Sequence, residues 1–238
     1  MNVFEEICLN TRENVKLLVV YFAAESTGHE HKQILKTYQA KHPEAELLWI
    51  EANGTFSRGL ALTLGANQFD GKSLLFFCDV DLVFDAGFLH RCRKNTILGQ
   101  QVYYPMVFSQ FNPDTIYETD KKPNSHFIFD KDAGFWRIYA FGIVSVYNND
   151  LRTVGGFDTT IQGWGLEDVD LYGKFVNSED LTVFRAPDPG LVHVYHDVIC
   201  DPKLAERQHL MCQRSKASVF GSAKSLARIL VKKGYLGE

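Results

Sequence analysis

The chain has 238 residues, of which 45% are hydrophobic and 13% aromatic, and a formal net charge of −4. That length fits one large α/β domain with ample material for a core, and the charge balance gives no basic footprint for a nucleic-acid partner. No run of about 18 apolar residues is present to span a bilayer, and the opening MNVFEEICLNTREN lacks the basic-then-apolar order of a signal peptide.

Five cysteines (Cys8, Cys78, Cys92, Cys200, Cys212) form no C-x-x-C pair, which excludes the common zinc spacings. An odd count leaves at least one thiol without an internal partner. Cys200 and Cys212 flank a short polar segment and are the pair to bridge in an oxidising compartment. Asn53-Gly54-Thr55 is a glycosylation sequon, usable only in a secretory compartment.

In chain order, residues 15–22 form a β-branched apolar run that reads as a buried strand. Residues 29–41 read as a surface helix closed by Pro43, and 46–50 as a second strand. Residues 56–69 are too long for a strand, though ambiguous in period, and 73–78 form a third, wholly apolar strand. This β-α-β-α-β order predicts a parallel sheet covered by helices. Ligands of such sheets bind beyond the carboxyl ends of the strands, where Asp79-Val80-Asp81 falls.

Further on, 101–108 and 138–147 read as strands with a loop at 109–124 between them. A helix is predicted over 167–176, short strands at 182–185 and 190–195, and a helical tail over 202–231 with Gly221 as a break. Neither a repeat nor a linker interrupts the chain. We therefore expect one domain over 1–238, its donor-binding part at about 1–110 and its acceptor and metal part at about 111–238.

Five motifs carry candidate chemistry. Asp79 and Asp81, two apart on an extended segment, can present hard oxygen ligands on one side; they suit Mn²⁺ or Mg²⁺, or simply a hydrogen-bonded turn after a strand. In Gly163-Trp164-Gly165-Leu166-Glu167-Asp168 the glycines allow a backbone that holds a flat ring at a pocket mouth. The acids there cap a helix N-terminus or supply a general base. In His193-Val194-Tyr195-His196, residues three apart in a straight strand face opposite ways, so both histidines reach one metal only if the chain bends between them. Phe56-Ser57-Arg58 precedes a helix, where the arginine reaches a phosphate or stays in solvent. The ring and cation of Trp136-Arg137 also have two readings, as a sugar-stacking ring with a cation for an acidic acceptor or as core and surface.

In combination these segments resemble the glycosyltransferase family of the β1,4-galactosyltransferases and chondroitin N-acetylgalactosaminyltransferases, most closely the C-terminal domain of chondroitin synthases. The matching pieces are F-S-R at 56–58, F-F-C-D-V-D-L-V-F ending at Phe84, F-S-Q at 108–110, G-F-W-R at 134–137, G-G-F-D, G-W-G-L-E-D-V-D, H-V-Y-H and S-K-A-S at 215–218. They cover nearly the whole chain in order.

The resemblance implies a nucleotide-diphospho-sugar transferase fold: a Rossmann-like, mostly parallel sheet flanked by helices, with a D-x-D motif. A first strand that carries a uridine-holding arginine in related domains is expected to be missing, as in an N-terminally truncated fragment. It implies Asp81, His193 and His196 as Mn²⁺ ligands and Asp168 as the catalytic base. Phe56, Arg58 and Asp79 would contact the donor, and Trp136, Trp164 and Glu167 the acceptor. Val169 stands where galactosyltransferases carry an acid, so acceptor contacts should differ.

The implied reaction moves N-acetylgalactosamine from UDP-GalNAc to the 4-hydroxyl of a glucuronate-ended chondroitin chain, with inversion to a β1,4 linkage. The alternative is a non-catalytic polymerising factor that supports a partner synthase. The expected setting is the Golgi lumen, in a single-pass type II membrane protein whose anchor lies outside this chain.

Overall fold

The structure is a computed structural model that describes residues 3–9, 14–22, 28–117, 122–163 and 165–235. After a short helical segment at Phe4–Leu9 come β1 (Leu17–Phe22), α1 (Gly28–Lys41), β2 (Leu47–Ala52), α2 (Arg58–Ala66), β3 (Leu74–Phe77), β4 (Leu82–Phe84) and α3 (Phe88–Asn95). Then follow β5 (Gln101–Gln110), α4 (Pro113–Ile116), β6 (Gly134–Trp136), β7 (Val144–Tyr147), α5 (Asn148–Thr153), α6 (Glu167–Val176), β8 (Thr182–His193), α7 (Glu206–Ser218) and α8 (Ala223–Lys232). The chain divides into two compact units interleaved in sequence. One holds residues 1–77, 89–103 and 144–184, the other 78–88, 104–143 and 185–238.

In the first unit, the apolar run of β1 pairs in parallel with β2 from Leu17↔Leu47 to Phe22↔Ala52. Helix α2 packs on β1 so closely that a Cβ on Gly65 would lie 3.0 Å from the Leu18 side chain. The Ser57 hydroxyl caps α2 by accepting from the Leu60 amide. Strand β3 runs antiparallel to β7, Leu74↔Tyr147 to Phe77↔Val144, and β7 meets β5 at Tyr103↔Ser145. Just past β7, buried Asn148 donates from its amide to the carbonyls of Ala66 and Phe69, at the end of α2. The core here includes Leu75, Phe77, Phe157, Leu171 and Phe175, with Phe77 edge-on to Phe157 at 5.2 Å.

In the second unit, β4 runs antiparallel to β8, with Leu82 opposite His193, and β6 antiparallel to the end of β5. Tyr104, Val107, Phe108, Leu191 and Val192 are buried. The disulfide Cys200–Cys212 closes the segment before α7 onto the middle of that helix. Its formation is the pairing expected from sequence.

β1 and β2 pair in parallel as a two-stranded sheet of their own, and every other strand pair with a defined register is antiparallel. The apolar run of β3 marks a doubly covered strand but says nothing of its partner, which is β7, nearly 70 residues on and opposite in direction. The expected strand over 138–147 shortens to β7, and the two expected strands at 182–185 and 190–195 are one continuous β8.

Candidate functional site

The second unit gathers three of the sequence-predicted ligands. Strand β3 ends at Phe77, and the chain passes through Asp79 and the fully exposed Val80 to Asp81, one residue before β4. The β4–β8 register then fixes Asp81 against the end of β8, where the Val194 amide donates to the Asp81 carbonyl at 2.9 Å. Because β8 stops at His193, the chain is free to turn before His196, which supplies the bend that H-x-x-H requires. Asp81 Oδ2 lies 2.9 Å from His196 Nε2 and 3.4 Å from His193 Nε2. One ligand atom from each of the three falls within 4.8 Å of the others.

The donor set fits a divalent cation. Two imidazoles and a carboxylate are typical ligands of transition metals, and Asp81 Oδ1 is buried with no hydrogen-bond partner among the described residues. Burial alone would push the Asp81 carboxyl up, but hydrogen bonding to His193 and the charges of His193 and His196 outweigh it and hold the carboxyl below its ordinary range. Ser109 Oγ stands 3.4 Å from His193 Nδ1, on the ring edge away from Asp81. That contact fixes the ring and leaves Nε2 to face the carboxylate.

Sequence reasoning gave Ser109 no role. The only signal was its place in F-S-Q on a strand, where parity alone does not say which neighbour the hydroxyl meets. Arg137 also feels these carboxylates: burial lowers its pKa, and the charges of Asp81 and Asp79 oppose that shift. Its neighbour Trp136 stacks on Phe129 at 5.5 Å with an interplanar angle of 8° and meets Phe108 edge-on. Asp79 is exposed and outside the three-ligand cluster.

The first unit brings together F-S-R and the glycine-acid motif, 109 residues apart in sequence. Arg58 Nη1 reaches Glu167 Oε1 at 3.2 Å, with side chains 16% and 4% exposed. A parallel bridge joins Ser57 to Gly163, the Gly163 amide donates to the Phe56 carbonyl, and the Ser57 hydroxyl donates to the Ile161 carbonyl. A Cβ on Gly59 would sit 3.0 Å from the Asp158 carbonyl and 3.5 Å from the Glu167 Cβ, so glycine is what permits this approach.

Gly163, Gly165 and Leu166 all have positive φ, and the value of 83° at Leu166 is the only one outside glycine among the described residues. A leucine held there costs on the order of 1–2 kcal/mol, and it sets Glu167 and Asp168 at the first turn of α6. Burial, then the charge of Asp168, raises the Glu167 pKa against the opposing effect of Arg58. The Asp168 carboxylate accepts from the Val169 amide at 2.9 Å. Phe56 is half exposed and edge-on to Phe22 at 5.4 Å. Trp164 lies outside the described residues.

Three residues able to hold a divalent cation on a mixed α/β frame fit a glycosyltransferase, and sequence similarity names the family. Residues 1–226 match the profile of the chondroitin N-acetylgalactosaminyltransferases, and the chain belongs to that family. Chondroitin sulfate synthase 3 of Homo sapiens is 49% identical over 98% of this chain and 26% of its own length. Chondroitin sulfate N-acetylgalactosaminyltransferase 1 of Mus musculus is 42% identical over 98% of this chain and 44% of its own. The chain thus spans less than half of these relatives. Among solved structures, a mannosyltransferase from Pyrobaculum calidifontis in complex with GDP-Man and Mn²⁺ matches with a TM-score of 0.54 at 16% identity. It covers 98% of this chain and 66% of that one, which extends the likeness to the fold.

Proposed function

We propose that this chain is the catalytic domain of an inverting glycosyltransferase that moves N-acetylgalactosamine from UDP-GalNAc to the 4-hydroxyl of a glucuronate-ended chondroitin chain, forming a β1,4 linkage. The observation that carries the reading is the convergence of Asp81, His193 and His196 with a buried, unpartnered carboxylate oxygen. Family membership supplies the chemistry of donor and acceptor.

In this reading Asp81, His193 and His196 hold Mn²⁺, which when bound neutralises the charge of a diphosphate leaving group. Ser109 orients His193, and Asp79 lies beside the donor sugar. Arg58, fixed by Glu167, and Phe56 present a cation and an exposed ring to the nucleotide. Asp168 takes the proton of the acceptor hydroxyl as that oxygen bonds to the anomeric carbon and the bond to UDP breaks. Trp136, Trp164 and Glu167 are assigned to the acceptor by the family's motifs alone. The reaction takes place in the Golgi lumen, in keeping with the disulfide.

Asp81→Ala tests the reading. Removing a direct ligand should cost more than the ~10–100-fold that follows loss of a supporting residue. Calorimetric titration of UDP in the presence of Mn²⁺ should therefore show no binding, and transfer should stop. Normal UDP affinity in that variant would remove the metal assignment.

A further inference from the structure

The C-terminal helices differ sharply in charge from the rest of the chain. Between Pro202 and Tyr235 stand eight lysines and arginines against one acid, Glu206. That leaves 17 of the 25 basic residues and 28 of the 29 acidic ones for everything else. All eight basic residues are exposed. Exposed positions on helices fold equally well with neutral glutamine, and concentrated like charge opposes compaction. Two of the eight have partners on the chain itself, Lys224 beside Asp132 Oδ2 at 3.7 Å and Arg228 donating to the Ile116 carbonyl, and the other six direct their charge outward, where it suits a polyanion.

The tract belongs to the same unit as the metal cluster. It begins within seven residues of His196, and the Cys200–Cys212 bond ties α7 to a point four residues past that ligand. Beyond α7, the Val219 and Phe220 carbonyls accept from the Asn112 amide and the Thr115 hydroxyl, which anchors the turn into α8. The tract holds only two aromatic residues, Phe220 and Tyr235, so it lacks the interleaved stacking platform of a single-strand nucleic-acid binder. A polymer with carboxylates spaced along it and no bases to stack matches cations spread over two helices better.

We propose that α7 and α8 form the surface that holds an acidic glycan behind the sugar being extended. The partner class is a uronate-bearing polysaccharide several repeats long. This rests on the reading of the acceptor as a glucuronate-bearing chain.

The test uses two triple variants, R207Q/R214Q/K216Q on α7 and K224Q/K232Q/K233Q on α8, and their combination. Binding of long chondroitin and of a tetrasaccharide is measured by anisotropy without donor at low and at near-physiological salt, alongside transfer kinetics on both acceptors. The combined variant should weaken binding of the long polymer, and raise KM for it, by roughly tenfold and flatten its salt dependence. The value of kcat and the KM for the tetrasaccharide should stay as they were.

Unchanged affinity for the long polymer, or equal losses on both acceptors, would overturn the proposal. So would stronger retention by phosphatidylcholine–phosphatidylserine vesicles than by chondroitin, which would assign the exposed Leu226 and Leu230 of α8, with their flanking cations, to a lipid surface. A wild-type protein that binds the polymer through these residues but transfers no sugar would keep this proposal and remove the transferase reading. Normal transfer with indifferent variants would do the reverse.

Discussion

The two units set different groups against a buried carboxylate: one guanidinium in the first, two imidazoles in the second, while each carboxylate keeps one oxygen, Glu167 Oε2 or Asp81 Oδ1, without a hydrogen-bond partner among the described residues. Arg58 and Glu167 are both largely buried and meet in one ion pair. Asp81 faces two imidazoles on one oxygen and nothing on the other. A buried ion pair between two distant segments holds a backbone in place, and its loss should appear first as lost stability. An open set of donors is built for a cation, and its loss should appear first as lost binding. The response to substitution separates the two regions, and Asp81→Ala, with its abolished metal-dependent UDP binding at nearly unchanged stability, is the largest effect expected.

Arg58→Ala comes next and should behave in the opposite way. Removing one partner of a buried pair leaves an uncompensated charge, at a cost of roughly 3–5 kcal/mol. Urea denaturation should show that loss directly, and the double variant Arg58→Ala/Glu167→Gln should recover part of it, because no buried carboxylate is then left alone. Full stability in Arg58→Ala would show that the two motifs are held together by the Ser57–Gly163 bridge instead.

The second unit has a covalent counterpart to this pair. Cys200 and Cys212 are 12 residues apart, and opening a loop of that size should cost ~3 kcal/mol. Cys200→Ser/Cys212→Ser should therefore lower the urea midpoint while Mn²⁺ still binds. If metal affinity fell as steeply as stability, the disulfide would be holding His196 in place as well as α7. Ser109→Ala should produce a smaller change at the same site. It removes only the contact behind His193, and loss of such a supporting bond costs ~10–100-fold in metal affinity. Calorimetry with Mn²⁺ measures it, and an unchanged affinity would mean that packing alone orients the ring.

Legibility from sequence followed the same division. Helix α6 over 167–176, strand β3 and the disulfide were all readable, because each rests on a local signal: acidic residues opening a helix, an unbroken apolar run, two cysteines around a polar segment. The candidate metal ligands were readable as residue types, and the family resemblance joined them. Residue spacing alone could not, since their union depends on β8 ending at His193 and on Asp81 lying beside that end, a matter of register across more than a hundred residues. Strand β4 and helix α3 escaped notice because three residues of strand and one amphipathic stretch after D-V-D carry too little periodicity. The Arg58–Glu167 pair escaped because each residue has a sufficient local reading, as a helix-start cation and as a helix-capping acid. The charge asymmetry of the tail is hidden in a net charge of −4, which averages a basic C-terminal tract with an acidic remainder.

The smallest effect expected is a pH dependence of stability that belongs to the first unit. Burial and the neighbouring Asp168 raise the pKa of Glu167, so the folded chain holds that proton more tightly than the unfolded chain does. Its contribution to folding is therefore fully present below the ordinary glutamate range and is lost as pH rises through the raised value. Glu167→Gln cannot titrate, so between mildly acidic and neutral pH its stability should fall less than that of the wild type. Arg58→Ala removes the one side chain that lowers this pKa, so the loss on going to neutral pH should become larger. Denaturation midpoints at a series of pH values measure all three slopes. If the wild type and Glu167→Gln run parallel, the carboxylate is already compensated by Arg58 across the whole range, and the first unit's charges are more completely closed than the geometry alone indicates.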